Sequence, residues 1–175
     1  MQKIEFGSTG LVIEKNGFGC LPIQRISETE AVKLLHKACD GGINFFDTAR
    51  AYSDSEQKVG AAFSGMRDRI VLATKTGAQT AEGFWRDLET SLRTLKTDYI
   101  DFGFIHCIDE FSDLDEAERE GTIDYLLSLK RSGAVRHIGM STHTPETAHA
   151  ALDLGILDIL MFSINPAYDY VRGEY

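Results

Sequence analysis

Short apolar runs alternate along this chain with longer stretches in which apolar residues recur at helical spacing. The opening "KIEFGSTGLVIEK" reads as a hairpin with Gly7 to Gly10 near its turn. "KNGFGC" leads into or forms a first strand of the main body. Further strands are expected at "INFF", "IVLAT", "YIDFGFI", "VRHIGM" and "ILDILMF". The intervals carry helix signals. Ser27 and Glu30 have capping-box spacing ahead of Ala31, Leu34, Leu35 and Ala38, and Gly41-Gly42 stops that helix. Ser53 and Glu56 offer a second capping box before "EQKVGAAF". Thr80 caps a helix bearing Leu88, Leu92 and Leu95. The acidic stretch 109–120 reads as a long loop with some helix. "TIDYLLSLKRSG" is a helix whose end carries Lys130 and Arg131 before Gly133. Thr144-Pro145 opens a last helix and Gly155 closes it.

Strands separated by helices imply βαβ units and a parallel sheet, and near-continuous apolar strands fit a sheet covered on both faces. A doubly wound sheet and a (β/α)₈ barrel both satisfy this pattern. "GFGCLP" holds only two glycines of the G-x-G-x-x-G dinucleotide fingerprint, so it favours the doubly wound fold weakly.

Polar residues sharpen the picture. Asp47 follows "INFF", Tyr52 lies in the loop after it, Lys75 ends "IVLAT", and His106 follows "YIDFGFI". In a parallel barrel the C-terminal strand ends share one face, where active sites lie. Alternation sends Val71, Ala73 and Lys75 one way, as it does Ile100, Phe102, Phe104 and His106. Each polar residue alone has an ordinary explanation as a cap, a solvated strand end, a rim aromatic or a core histidine. Together they form a chemical set. A tyrosine, with a pKa of about 10, is a sluggish acid at neutral pH. A nearby lysine favours its phenolate, and a carboxylate holds that lysine charged and in place. A histidine beside the phenol can hydrogen-bond the same substrate oxygen. Such a site suits protonation of a carbonyl oxygen as hydride reaches its carbon.

Composition narrows the classes. With 175 residues, 43% hydrophobic and 26% charged, the chain suits one soluble domain with a sizeable core. A net charge of −9 argues against a nucleic-acid surface, while leaving room for a local pocket that takes an anionic cofactor. No run is long and apolar enough to span a bilayer, and "MQKIEFGSTG" lacks signal-peptide order, so a cytoplasmic location is the expectation. Cys20, Cys39 and Cys107 are widely spaced, without CxxC, and read as reduced thiols rather than a disulfide framework or metal site. Cys107 beside His106 could also be a nucleophile–base pair or part of a metal site. Strand alternation argues against that, because neighbours point to opposite faces. His143, near the end of "VRHIGMSTH", is the remaining histidine of interest.

"NFFDTARAY", "VLATKTG", "DYIDFGFIH" and "VRHIGMSTH" resemble, in order and over most of the chain, successive motifs of the aldo-keto reductase superfamily. The resemblance implies a (β/α)₈ barrel of that type, as a single domain over residues 1–175. Only about six strands follow the N-terminal hairpin, so the last two βα units are expected to be missing. It implies NAD(P)H-dependent reduction of an aldehyde or ketone, with a small-molecule carbonyl substrate. Tyr52 would be the general acid, Lys75 would tune it, Asp47 would pair with Lys75, and His106 would orient the carbonyl. Gly19, Cys20, Ser141 and Thr142 would approach the cofactor. Thr142 replaces a common asparagine there. Met161 occupies a position where many members carry a glutamine. Weak NADPH or NADH binding is expected, because the family's phosphate-binding segments follow the sixth strand. "LMFSINPAYDY" is also similar to a branch whose longer members carry a C-terminal iron–sulfur region, and no cluster is assigned to these residues. Open barrel edges make self-association a further expectation. A binding or regulatory protein without useful turnover is the alternative on this scaffold.

Overall fold

Six parallel strands stand side by side in chain order, from Phe18–Gly19 to Ile159–Phe162. The computed structural model describes residues 2–77 and 80–164. A short antiparallel hairpin, β1 (Lys3–Glu5) and β2 (Val12–Glu14), comes first. The sheet strands are β3 (Phe18–Gly19), β4 (Phe45–Asp47), β5 (Val71–Thr76), β6 (Ile100–Ile105), β7 (Val135–Thr142) and β8 (Ile159–Phe162). Consecutive order excludes the reversal that defines a doubly wound sheet and is the order of a (β/α)₈ barrel. β3 and β8 are the edges among the described residues. Of "LMFSINPAYDY", on which the likeness to the iron–sulfur branch rests, the part from residue 165 onward lies outside those residues.

The two faces of the sheet bury different groups. Phe46, Leu72, Ile105, Ile138 and Met140 join the larger apolar cluster with the helices. Val71, Ala73, Phe102 and Phe104 form the opposite face, packed against Ile13 and flanked by Ile4, Phe6 and Leu11 of the hairpin segment. Phe6 stands edge-on to Phe102 at 5.4 Å between ring centroids. The hairpin therefore covers part of the inner face. Ile100 departs from the expected inner row and packs in the outer cluster.

The helices are α1 (Glu28–Asp40), α2 (Ser55–Phe63), α3 (Ala81–Leu95), α4 (Phe111–Arg119), α5 (Thr122–Ser132) and α6 (Pro145–Asp153). The Ser27/Glu30 capping box forms, and Thr80 accepts from the Gly83 amide. In α1 the buried row is Ala31, Leu35 and Cys39, whereas Leu34 is exposed. The Ser53/Glu56 box does not form. The helix starts at Ser55 with Asp54 as its cap residue, because Glu56 is drawn inward to Thr74 and Arg50. The acidic 109–120 stretch is more ordered than a loop: α4 fills most of it, begun by a reciprocal Glu110/Asp113 cap. Gly60 lets α2 approach α3 closely. A Cβ there would collide with the Thr94 carbonyl and lie 2.9 Å from Leu95 Cα.

Asp158 fastens the last strand. It accepts Lys130 Nζ at 2.8 and 2.6 Å and the Ile138 amide at 2.9 Å. Partial burial opposes its ionisation, but these donors prevail and hold its carboxyl below the ordinary value. A depressed folded-state pKa contributes stability above the unfolded pKa and loses it as pH falls through the folded one. Asp158→Asn is expected to cost about 1 kcal/mol at neutral pH. Urea melts across an acid series should show the gap to wild type narrowing as Asp158 protonates. A gap independent of pH would refute this account.

Candidate active site

Parallel register gathers the site. Gly19 pairs with Asp47, Asp47 with Ala73, Lys75 with Phe104, and Ser141 with Met161. These positions all lie toward C-terminal strand ends. Lys75 is buried to 2% exposure, so its ammonium must find partners inside. It donates to Asp47 Oδ2 at 2.6 Å and to the Thr48 carbonyl at 2.9 Å. Burial raises the Asp47 carboxyl above its ordinary value, against the opposing pull of Lys75. Asp47 Oδ1 is buried with no hydrogen-bond partner among the described residues.

Tyr52 comes from the β4–α2 loop. Lys75 Nζ lies 5.1 Å from its ring centroid, and the His106 ring stands edge-on at 5.9 Å. The four residues Asp47, Tyr52, Lys75 and His106 are thus brought together. Burial, with Asp47 adding to it, holds the Tyr52 phenol above its ordinary pKa, the opposite direction from that expected of Lys75 alone. Burial, reinforced by Lys75, lowers His106 to about 4, so the imidazole is neutral at pH 7.

A recess of about 110 Å³ opens here, lined by Tyr52, Lys75, His106, Ser141, Thr142, His143, Met161 and Ser163. Ser141 Oγ accepts from the Cys107 amide at 3.0 Å and retains its own hydrogen to donate. Thr142, the next residue, also borders the recess. Its hydroxyl lies 2.7 Å from Thr147 Oγ1 and 3.3 Å from Asp109 Oδ1, so it is already engaged. Gly19 is exposed and Cys20 fully buried, with its amide on the Asp47 carbonyl at 2.8 Å. Neither borders the recess. All three cysteines are free thiols.

A buried polar frame holds the Tyr52 loop. Glu56 bridges Arg50 to Thr74, while Ser55 joins Thr48 to the Cys20 carbonyl, both at 2.9 Å. Lys58 donates to the carbonyls of Ile23 and Ile26 and to Asp54. Their inward contacts are not visible in helical spacing: the available signal is charge on the apolar side of "SEQKVGAAF", where Glu56 also has capping-box spacing.

The Aldo/keto reductase family model matches residues 3–168, and the chain belongs to that family. It is 36% identical over 160 residues to L-galactose dehydrogenase of Arabidopsis thaliana, covering 81% of this chain and 49% of that protein. It is 33% identical over 159 residues to the uncharacterized oxidoreductase YqkF of Bacillus subtilis, covering 83% and 50%. The chain thus spans about half the length of these curated relatives. Among solved structures it is similar to the holo form of an aldo-keto reductase from Bacillus halodurans, at TM-score 0.82, 30% identity and coverage of 94% and 58%. It also matches an aldo-keto reductase from Klebsiella pneumoniae in complex with NADP and acetate, at TM-score 0.73, 28% identity and coverage of 85% and 52%. The sheet is accordingly an incomplete (β/α)₈ barrel.

The buried pair gives a test of the site's construction. Lys75→Met strands the Asp47 carboxylate and should cost about 3–5 kcal/mol in urea unfolding. Adding Asp47→Asn should recover part of that loss. If the double variant is no more stable than Lys75→Met, the pair is not the coupled unit described.

Proposed function

We propose that this chain carries the proton-donating part of an NAD(P)H-dependent reduction of an aldehyde or ketone. The observation that carries this reading is the packing of Tyr52 against both Lys75 and His106, with Asp47 behind the lysine. A bound nicotinamide supplies the hydride. The residues lining the recess fit its carboxamide end: Ser141 has a hydroxyl hydrogen to donate and Met161 offers a soft apolar contact. Ser141 suits the carboxamide better than Thr142, whose hydroxyl is engaged. Neutral His106 donates a hydrogen bond to the substrate oxygen and orients the carbonyl. Tyr52 gives its proton to that oxygen as negative charge develops. The resulting phenolate is stabilised by the Lys75 ammonium, which Asp47 keeps in place.

The substrate is a small carbonyl compound. A recess of about 110 Å³ lies below the roughly 300–1,000 Å³ usual for ligand pockets. NADPH binding by this chain alone should therefore be weaker than about 100 μM by fluorescence titration. Tight binding by the monomer would overturn that expectation. The open edges at β3 and β8 also support self-association as a proposal.

A second reading, a binding or regulatory protein of little turnover, is favoured by one observation: the Tyr52 phenol is held above, not below, its ordinary pKa. Turnover decides between them. NADPH oxidation with an aldehyde panel is measured for the chain and for its fusion to the C-terminal half of the Bacillus subtilis relative. Tyr52→Phe should lower kcat by about 10²–10⁴-fold in the active form. A folded fusion that binds NADPH but shows no Tyr52-dependent turnover would favour the second reading.

A further inference from the structure

Beside the quartet stands a second cluster that the proton-donating scheme does not use. Cys107, Asp109 and His143 present donor atoms that all lie within 4.8 Å of one another. They come from two loops, one after β6 and one after β7. Those loops are fastened together. The Cys107 amide donates to Ser141 Oγ at 3.0 Å, and the Ile108 amide to the Ser141 carbonyl at 2.9 Å. The His143 amide donates to Asp109 Oδ1 at 2.7 Å, and Thr144 Oγ1 to the Asp109 carbonyl at 2.8 Å. The three residues are therefore held near one another before any ligand arrives.

The backbone at Cys107 explains how a residue next to His106 joins this group. Its φ is +58°, in the left-handed region that a β-carbon disfavours. That turn breaks the strand alternation. Opposed faces for His106 and Cys107 require extended backbone, and the strand ends at Ile105.

We propose that Cys107, Asp109 and His143 bind a borderline-soft divalent cation of the Zn²⁺ class, with a fourth coordination position left to water or a ligand. A thiolate, an imidazole and a carboxylate suit Zn²⁺ or Co²⁺ and are a poor set for Mg²⁺ or Ca²⁺. On a tetrahedral ion, sulfur and nitrogen or oxygen donors stand about 3.5 Å apart. His143 Nδ1 and Asp109 Oδ2 are already 3.0 Å apart, and the His143 side chain is half exposed, so it has room to adjust. Binding forms a metal–sulfur bond and releases the thiol proton to solvent. His143 lines the same recess as Tyr52 and His106, so the cation would sit at its mouth.

The probe is Co²⁺, titrated into the full 175-residue chain under reducing, metal-free conditions. A thiolate-to-cobalt charge-transfer band saturating at one equivalent is expected, together with four-coordinate d–d intensity. Cys107→Ser should abolish the band, and His143→Ala should weaken affinity at least tenfold. Excess Mg²⁺ should not displace the ion, whereas Zn²⁺ should. In the unmutated chain, Zn²⁺ should slow alkylation of Cys107, followed by mass spectrometry of the Cys107 peptide, which keeps the test intact if a variant misfolds. No band in the unmutated chain, a band unchanged in folded Cys107→Ser, or alkylation indifferent to Zn²⁺ would overturn the proposal. These readouts do not depend on turnover, so they are independent of the reductase reading.

Discussion

The ion pair between Lys75 and Asp47 is the constraint on which the site depends. A lysine buried to 2% exposure is tolerable only where a carboxylate and a carbonyl are already in reach. That requirement fixes the relation of β4 to β5. Asp47 pairs in register with Ala73, and Lys75 follows on the same face two residues later. A one-residue slip would send the lysine to the helix-covered side, among Leu72 and Phe46. The pair thus selects the register, and the register brings the Tyr52 loop over the ammonium. The anchoring of that loop by Glu56 and Ser55 serves the same geometry from behind.

Much of this was legible in the chain. The alternation of apolar runs with capped helical stretches is a local signal, and "IVLAT" and "YIDFGFI" have it at full strength. Asp47, Lys75 and His106 were visible because each interrupts an apolar run at a strand's end. Three positions behave differently from what local spacing suggests, for non-local reasons. Glu56 looked like a cap partner because spacing says nothing about Thr74, eighteen positions away and hydrogen-bonded to it. Thr142 matches a cofactor-contact position by resemblance, and spacing does not show that its hydroxyl is engaged by Thr147 and Asp109. Cys107 looked opposed to His106 because alternation presumes extended backbone, and a single left-handed residue removes the presumption. The direction of the Tyr52 shift was misjudged for a fourth reason: charge partners can be guessed from sequence, whereas the degree of burial cannot.

Consecutive strand order also explains why the quartet meets although β3 and β8 are edges among the described residues. Each of the quartet sits on β4, β5 or β6 or on the loops that follow them, in the middle of the sheet. Their contacts are between neighbouring strands and need no closure of the barrel. The cofactor-facing candidates lie further out. Gly19 and Cys20 are on or beside one edge, and Met161 is on the other. In a closed barrel those two edges would be bridged by further strands, and the recess between them would gain walls. The small volume here follows from that arrangement: central residues define a floor, and the edges leave the sides low.

On the proposed reading, Tyr52 would hold its proton until a substrate oxygen accepts it. Its phenol is pushed up by burial and by Asp47, so the proton stays on oxygen at neutral pH. Asp47 is itself pushed up by burial and is tied to Lys75 through one of its oxygens, the other being buried and without a hydrogen-bond partner among the described residues. A donor reaching Oδ1 would stabilise the carboxylate further and so hold Lys75 more firmly as its counter-charge. Under the proposed reduction, the lysine would stabilise phenolate as the proton leaves, when a developing alkoxide is a stronger base than phenolate. An elevated phenol pKa in the resting site is therefore compatible with a general acid. What matters is the difference in stabilisation between phenol and phenolate at the transition state, and the buried ammonium 5.1 Å from the ring is placed to act on that difference.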